Sequence, residues 1–304
     1  MQIECFDPHE PFDVEEHYSD LPEEDRLSLR FDWPEYRKVT ESPAAVTHLR
    51  SQYAALLKKC DEKLGTLLRI FDEQQLWEDT ALIVTTDHGF LLGEHDSWAK
   101  AVHPFYNEIA HIPLFYWDPR TKEKNTTATG LTQTVDLAPT LLDLFGMVRG
   151  KWMTGQPLQR AVAKPSHRYG LFGIHGGQLN LTDGRYVYMR GPATKQAMCW
   201  DYTLMPTHMR SFFSIEELRQ ASWVQGFAFM QGLHAMKIPA AEIDFTNGNF
   251  SSETYTAIYD LKRDPQQLMP FREAKIEVQL TKKMRELLIE LEAPAELFER
   301  FQLN

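Results

Sequence analysis

Apolar residues recur along the chain at two spacings, which predict its helices and strands. From Ser42 and Pro43 onward they lie three to seven positions apart as far as Leu76. This spacing predicts one long amphipathic helix, with a serine cap and a proline in its first turn, that packs one face against a sheet. The predicted apolar stripe consists of Val46, Leu49, Tyr53, Leu57, Leu64, Leu67, Phe71 and Leu76.

A short, continuous apolar run follows at residues 81–87 and ends in Asp-His-Gly. Such a run is typical of a strand buried on both faces, and a second strand is predicted at 112–117. Residues 135–146 read as a helix, because a proline lies in the first turn and a glycine just past the end. Helix, buried strand and polar loop in succession indicate an α/β region that finishes near residue 160.

The later part of the chain has a different pattern of short strands and tight turns. Strands are predicted at 169–174, 178–182, 185–190 and 255–260, with an Asp-Gly hairpin signal at Asp183 and Gly184. A closing helix at 274–292 is predicted to bury Val278, Leu280, Met284, Leu287, Leu288 and Leu291. We therefore expect a small antiparallel sheet with one helix, whereas the acidic first 40 residues are predicted to form a loop.

Composition limits the classes of partner. The chain has 304 residues and a formal net charge of -11, which disfavours nucleic acid and anionic membranes. An anionic substrate would need a local cationic site. No run approaches the roughly 20 apolar residues of a membrane span, and the start lacks the pattern of a signal peptide. Three separated cysteines indicate neither a disulfide framework nor a zinc knuckle, so the compartment stays open.

Asp87 and His88 are the first candidates for chemistry, because they follow a predicted buried strand. Ligands of open α/β sheets bind beyond the carboxyl ends of strands, where a carboxylate and an imidazole can hold a cation. A loop carboxylate beside a hydrogen-bonded histidine would give the same pattern. A metal site needs three or more ligands, so the surrounding sequence has to decide between these interpretations.

That surrounding sequence contains four motifs in order. Asp-His-Gly at 87–89 leads into Gly-Glu-His-Asp-Ser-Trp-Ala-Lys at 93–100, then His-Ile-Pro-Leu at 111–114 and Val-Asp-Leu-Ala-Pro-Thr at 135–140. At these residues the chain resembles the sulfatases of the alkaline-phosphatase superfamily, in the branch that includes iduronate-2-sulfatase. The resemblance implies a partial, sulfatase-like mixed sheet with flanking helices over 1–160. It also implies a small antiparallel α+β subdomain over 161–304.

The resemblance also implies roles for single residues. Asp87 and His88 match the pair that binds a divalent cation, usually Ca²⁺, although Mg²⁺ and Mn²⁺ are alternatives. Lys100 matches the lysine that contacts the sulfate and its bridging oxygen. His9, in Asp-Pro-His-Glu-Pro-Phe at 7–12, matches a histidine that assists protonation of the leaving group. His95 and His111 lie within matched motifs and are expected to shape the pocket.

One part of the family pattern is missing. Sulfatases make a formylglycine nucleophile within Cys/Ser-x-Pro-x-Arg, and these 304 residues contain no such motif. The chain is therefore expected to be inactive alone, as a truncated sulfatase whose substrate is a sulfated small molecule or glycan and whose partner is a missing amino-terminal segment. The alternatives are a phosphodiesterase or phosphonate hydrolase of the same superfamily, and a non-catalytic binding or split-enzyme subunit.

Overall fold

The structure is a computed structural model that describes residues 1–22, 31–101, 104–163, 168–193, 199–208, 211–240 and 255–304. Its contacts form two compact units. The first comprises Met1–Val102 with Glu108–Thr126, and the second His103–Asn107 with Thr127–Asn304. These units reflect packing within this chain, so the division into family domains at 1–160 and 161–304 stays a prediction.

Seven α-helices are described. They are α1 (Pro43–Glu73), α2 (Asn107–Ala110), α3 (Leu137–Leu144), α4 (Leu158–Ala163), α5 (Ile215–Gln220), α6 (Ala274–Glu290) and α7 (Ala295–Arg300). Single 3-10 turns lie at Glu16–Tyr18, Leu76–Glu78, Glu94–Asp96, Thr134–Asp136 and Ala228–Met230. None of the described helices is both long enough and apolar enough to cross a bilayer.

Eleven strands are described, and all their pairings are antiparallel. They are β1 (Leu82–Thr85), β2 (Leu91–Leu92), β3 (Trp98–Ala99), β4 (Leu114–Trp117), β5 (Gly170–Gly173), β6 (Leu179–Thr182), β7 (Tyr186–Arg190), β8 (Trp200–Thr203), β9 (Ser222–Gln225), β10 (His234–Pro239) and β11 (Ala257–Asp260). In the first unit β1 pairs with β4 and β2 with β3. In the second unit the sheet orders are β11-β7-β6-β5 and β8-β10-β9.

The long helix α1 begins where the sequence predicts. The Ser42 hydroxyl accepts a hydrogen bond from the backbone N–H of Ala45 at 3.3 Å, and Pro43 occupies the first helical position. Its buried positions include Leu49 and Leu56, which belong to the core of the first unit. Leu57, which was predicted to lie on the buried stripe, is exposed instead, because the stripe with a 3.6-residue period passes through Leu56.

The strand β1 is less buried than predicted. Leu82, Ile83 and Val84 are half-buried and Thr85 is exposed. The prediction of a strand buried on both faces is therefore wrong for the described part of the chain. Within that part β1 has β4 as its strand neighbour, and a two-stranded sheet has too few neighbours to shield both faces.

The hairpin formed by β2 and β3 is tied to α1 and to the segment before it. Arg50 of α1 donates hydrogen bonds to the carbonyl oxygen of Leu92 at 2.7 Å and to Glu94 at 3.0 Å. On the other side, the backbone N–H of Trp98 donates to the carbonyl oxygen of Arg37 at 2.9 Å. These contacts fix the backbone that leads directly into Lys100.

The second unit confirms the predicted four strands and the closing helix. Helix α6 buries Leu280, Met284 and Leu288 in a core shared with the sheet residues Leu181 and Tyr188. Val278 and Leu291, which were predicted to be buried, are exposed, because Val278 lies off the stripe of Leu280, Met284 and Leu288 and Leu291 follows the last residue of α6. The sheet β8-β10-β9 was not predicted, since its strands are short and carry little hydrophobic alternation.

Position 89, directly after Asp87 and His88, is a glycine because a neighbouring backbone leaves no room there for a side chain. The backbone N–H of Gly89 donates to the carbonyl oxygen of Ile109 at 2.8 Å, and a Cβ atom added to it would lie 1.8 Å from the carbonyl oxygen of Glu108. The backbone at Gly89 and the backbone at Glu108 therefore approach more closely than any residue other than glycine permits at position 89. The geometry of this turn depends on the absence of a side chain at Gly89 rather than on an unusual dihedral angle.

We expect Gly89→Ala to destabilise the chain by about 1–3 kcal/mol, because the backbone of Glu108 cannot yield to the new methyl group. The matched control is Gly65→Ala within α1, where nothing lies within 4 Å of the added Cβ. This control should stabilise the chain by about 0.5–1 kcal/mol. Urea unfolding measures both, and equal effects of the two substitutions would contradict the prediction.

Candidate functional site

The opening loop is held on the first unit by the burial of Phe12. Its side chain is fully buried and packs edge-on against Tyr53 of α1 and Phe90, with ring centroids 5.3 Å apart in each pair. The backbone N–H of Phe12 also donates to the carbonyl oxygen of Asp32 at 2.7 Å. His9 lies three residues earlier, so this anchor determines where His9 lies.

Lys100 and His9 meet in the first unit although 91 residues separate them. Lys100 Nζ is 2.8 Å from His9 Nε2, and only 13% of the Lys100 side chain is exposed. A lysine ammonium donates hydrogen bonds and accepts none, so Nε2 is the acceptor and the ring proton of His9 lies on Nδ1. The carbonyl oxygen of Glu10 accepts that proton, with 2.6 Å between Nδ1 and the oxygen.

Glu10 joins this pair, although the sequence did not predict it as a site residue. Its side chain is 1% exposed, and its Oε2 atom is 3.5 Å from Lys100 Nζ and 3.3 Å from His9 Nδ1. Tyr36 donates a hydrogen bond to the other carboxylate oxygen. Burial, followed by this hydrogen bond, raises the pKa of Tyr36, so it stays a hydroxyl donor. The signal for Glu10 was its place in the motif at 7–12, whereas nothing in the sequence indicated Tyr36.

Asp87 and His88 lie after the end of β1 and contact each other. His88 Nε2 is 3.5 Å from Asp87 Oδ2, and the backbone N–H of His88 donates to Asp87 Oδ1 at 2.9 Å. The Asp87 side chain is 81% exposed and that of His88 40%. Among the described contacts, neither residue shares a hydrogen bond or ion pair with Lys100. The structure therefore brings together two pairs, Asp87 with His88 and Lys100 with His9.

The Asp87 and His88 pair does not make a complete cation site. A Ca²⁺ ion takes six to eight oxygen ligands, and this pair offers one carboxylate and one imidazole. No group of three or more His, Cys, Asp or Glu side chains that could hold a metal ion occurs in the described part of the chain. Asp87 and His88 by themselves therefore supply too few ligands for such an ion, and a divalent-cation site at this position stays a prediction.

The other two predicted pocket residues lie in different surroundings. The His95 side chain is 7% exposed, and its Nε2 atom is 3.4 Å from a carboxylate oxygen of Glu108. Burial raises the pKa of Glu108, but the polar contact with His95 and its own backbone outweigh burial and leave this pKa below its ordinary value. His111 is exposed. A role in shaping the pocket stays a prediction for both histidines.

Comparison with known proteins identifies the class to which this fold and these motifs belong. The relatives that the chain matches include sulfatases and a multifunctional alkaline phosphatase superfamily protein. Residues 6–147 match the family model described as Sulfatase, so the sulfatase-like sequence lies in this part of the chain. The chain is 31% identical over 118 residues to the N-acetylglucosamine-6-O-sulfatase of Bacteroides thetaiotaomicron, covering 37% of this chain and 21% of that protein.

Two further matches support the family and the fold. Human iduronate 2-sulfatase is 37% identical over 71 residues, covering 23% of this chain and 12% of that protein. A protein solved with its substrate D-glucosamine-2-N,6-O-disulfate superposes with a TM-score of 0.57 at 16% identity, over 84% of this chain and 44% of that one. The predicted α/β, sulfatase-like fold is confirmed. The chain matches less than half the length of each of these three relatives.

Glu41 stabilises the backbone beside the Lys100 pair. It accepts hydrogen bonds from the Trp98 indole at 2.8 Å and from Arg37 at 2.6 Å. Burial raises the pKa of Glu41, but the bonds from Trp98 and Arg37, together with backbone N–H groups, lower it from 4.5 to about 2. A carboxyl group with a lowered folded-state pKa stabilises the chain above its unfolded pKa and loses that contribution as the pH falls.

We expect Glu41→Gln to lower the urea midpoint at neutral pH, where the carboxylate is ionised. The difference from the unchanged chain should shrink between about pH 4.5 and pH 2, because protonation removes the same interaction. The control is Glu35→Gln, which removes the exposed partner of Arg37 and should change the midpoint little at either pH. A Glu41→Gln effect that is constant across this range would disprove the assignment.

Proposed function

We propose that this chain carries the sulfate-binding part of a sulfuric ester hydrolase, and that Lys100 and His9 are the residues that contact the sulfate. The contact of 2.8 Å between Lys100 Nζ and His9 Nε2 carries this proposal, because it joins two motif residues that lie 91 positions apart. The match of residues 6–147 to the Sulfatase family model supports it. The whole reaction is proposed for the intact family member.

Lys100 supplies the positive charge that a sulfate needs in a chain of net charge -11. Its ammonium is compact and mostly buried, so its attraction for an oxyanion is less screened than that of a surface lysine. It also carries three protons, of which one points at His9 and another toward Glu10. An oxygen atom of the arriving sulfate accepts a hydrogen bond from the third proton, or it replaces His9 as the acceptor of the first.

His9 then becomes available for proton transfer. While Lys100 donates to Nε2, this nitrogen cannot hold a proton for the leaving oxygen. When the sulfate draws Lys100 away, Nε2 can take a proton from solvent and donate it to the bridging oxygen as the bond between sulfur and that oxygen breaks. The protonated oxygen leaves with the alcohol, the sulfuryl group passes to the nucleophile, and the ring returns to its neutral form. The hydrogen bond from Nδ1 to the carbonyl oxygen of Glu10 keeps the ring oriented throughout.

The nucleophile is proposed to lie outside these 304 residues, because they contain no Cys/Ser-x-Pro-x-Arg motif. Hydrolysis through a covalent intermediate requires such a group, so the chain alone should bind sulfate esters without turning them over. We propose a further segment of the family's amino-terminal region as the partner. The substrate is proposed to be a sulfated small molecule or glycan, which the name of the N-acetylglucosamine-6-O-sulfatase relative supports.

This function predicts binding without turnover. The chain should bind methyl sulfate, and Lys100→Met should weaken that binding at least tenfold, because the charge that holds the anion is lost. The control is Lys124→Met, which removes an exposed lysine of the same unit. NMR titration gives the affinities, and a chromogenic aryl sulfate gives the rate, which should stay at background for all three proteins.

Three results would contradict this proposal or change it. Equal binding by the Lys100→Met and unchanged chains would remove Lys100 from the site. Turnover that depends on Lys100 would reveal a nucleophile within these residues. Turnover of a phosphonate monoester or phosphodiester, with none of the sulfate, would favour the alternative hydrolase.

Asp87 and His88 are proposed to supply two ligands of a divalent cation, with Ca²⁺ the first choice and Mg²⁺ or Mn²⁺ as alternatives. Two ligands bind weakly, so we expect Mn²⁺ to broaden the His88 ring signals only at millimolar concentrations. Asp87→Asn should abolish this broadening, whereas Asp79→Asn, at an exposed carboxylate of the same unit, should not. Broadening that survives Asp87→Asn would place the cation elsewhere.

A further inference from the structure

A buried carboxylate lies directly beside the proposed sulfate-binding lysine. Glu10 is almost completely inaccessible, and its Oε2 atom is 3.5 Å from Lys100 Nζ. Glutamate is rarely buried to this extent unless it is paired, and here the pairing is with the ammonium that has to hold the anion. The positive charge of Lys100 is therefore partly balanced before any ligand arrives.

The position of this carboxylate is fixed from two sides. Tyr36 donates a hydrogen bond to Oε1, and Phe12, two residues after Glu10, is fully buried in the core of the first unit. The carboxylate cannot swing out into water when an anion approaches Lys100. Its charge then acts on the bound anion through a poorly hydrated environment, where salt screens it less than at the surface.

A fixed negative charge at this point penalises each negative charge of the ligand. A sulfate monoester and a phosphate monoester are both tetrahedral and similar in size, but the sulfate carries one charge whereas the phosphate carries nearly two above its second pKa of about 6. Contacts that depend on the shape of the ligand contribute equally to the binding of both esters. The carboxylate of Glu10 repels the phosphate more strongly, and this repulsion offsets the stronger attraction of Lys100 for the phosphate. The larger desolvation cost of the doubly charged ion then favours the sulfate.

We propose that Glu10 is a specificity-determining residue, whose buried charge makes this site favour singly charged sulfate esters over doubly charged phosphate esters. The inference rests on the proposed function, since it assumes that Lys100 holds the oxyanion. It deepens that function by assigning the choice between sulfate and phosphate to a residue that need not touch either ligand.

The experiment compares methyl sulfate and methyl phosphate at pH 8 on the 304-residue chain, with affinities from the shifts of the His9 ring signals. The unchanged chain should bind methyl sulfate more tightly. Glu10→Gln keeps the shape of the side chain but removes its charge, so the ratio of the phosphate Kd to the sulfate Kd should fall about tenfold. A purely structural role of Glu10 would lower the melting temperature and leave this ratio unchanged.

The matched control is Glu35→Gln, which makes the same change in net charge at a side chain that is 80% exposed. Its ratio should equal that of the unchanged chain. A Glu10→Gln ratio within twofold of the unchanged chain overturns this inference alone. Failure of both anions to shift His9 in the unchanged chain overturns the proposed function and the inference with it.

A second measurement needs no variant, in case Glu10→Gln does not fold. Below about pH 6 methyl phosphate becomes a monoanion, whereas methyl sulfate keeps its single charge. Protonation of the protein changes the affinities for both anions, so the ratio of the two affinities removes most of this effect. We expect the phosphate-to-sulfate Kd ratio of the unchanged chain to fall about tenfold between pH 8 and pH 5. A ratio that is constant, or that rises, overturns the inference.

Discussion

The burial of Phe12 against helix α1 and the neighbouring aromatic rings is the contact on which the first unit depends. Phe12, Leu49, Leu56 and Trp98 form one buried cluster, which joins the opening loop, the long helix and the hairpin. The loop and the hairpin are only marginally stable alone. The loop has no ladder of backbone hydrogen bonds, and an isolated hairpin with strands of two residues is unstable in water. The shared apolar core offsets the entropy lost when all three become ordered.

The polar contacts of the site follow from that core. Glu10 and Phe12 lie two positions apart in the opening loop and are both buried, and a buried carboxylate is tolerated only with partners. Tyr36 and Lys100 provide them, and Lys100 in turn reaches His9. The ammonium of Lys100 and the imidazole of His9, which the family motifs predict, are thus held in place by the carboxylate of Glu10, which lies within one of those motifs, and by the phenol of Tyr36, which lies outside them.

Two exposed features of the described structure are adjacent in the chain. The strand β1 is half-exposed although its sequence is that of a buried strand, and Asp87, which follows it, is 81% exposed. Within the described residues, β1 has β4 as its strand neighbour and Asp87 has His88 as its ion-pair partner. The pair of Lys100 and His9 differs, because the groups that fix it belong to the first unit.

The sequence alone determined the elements and the class of chemistry, because helical and strand periodicity and the four motifs are local. It predicted α1, β1, β4, α3, the four-stranded sheet and α6 closely, together with the family and Lys100 and His9 as candidates. Only the tertiary structure decided that Leu56 rather than Leu57 is buried, that β1 is half-exposed, and that Glu10 and Tyr36 complete the site. Burial and contacts between distant residues depend on the packing of several segments at once. The hydrophobic periodicity of one segment contains no information about that packing.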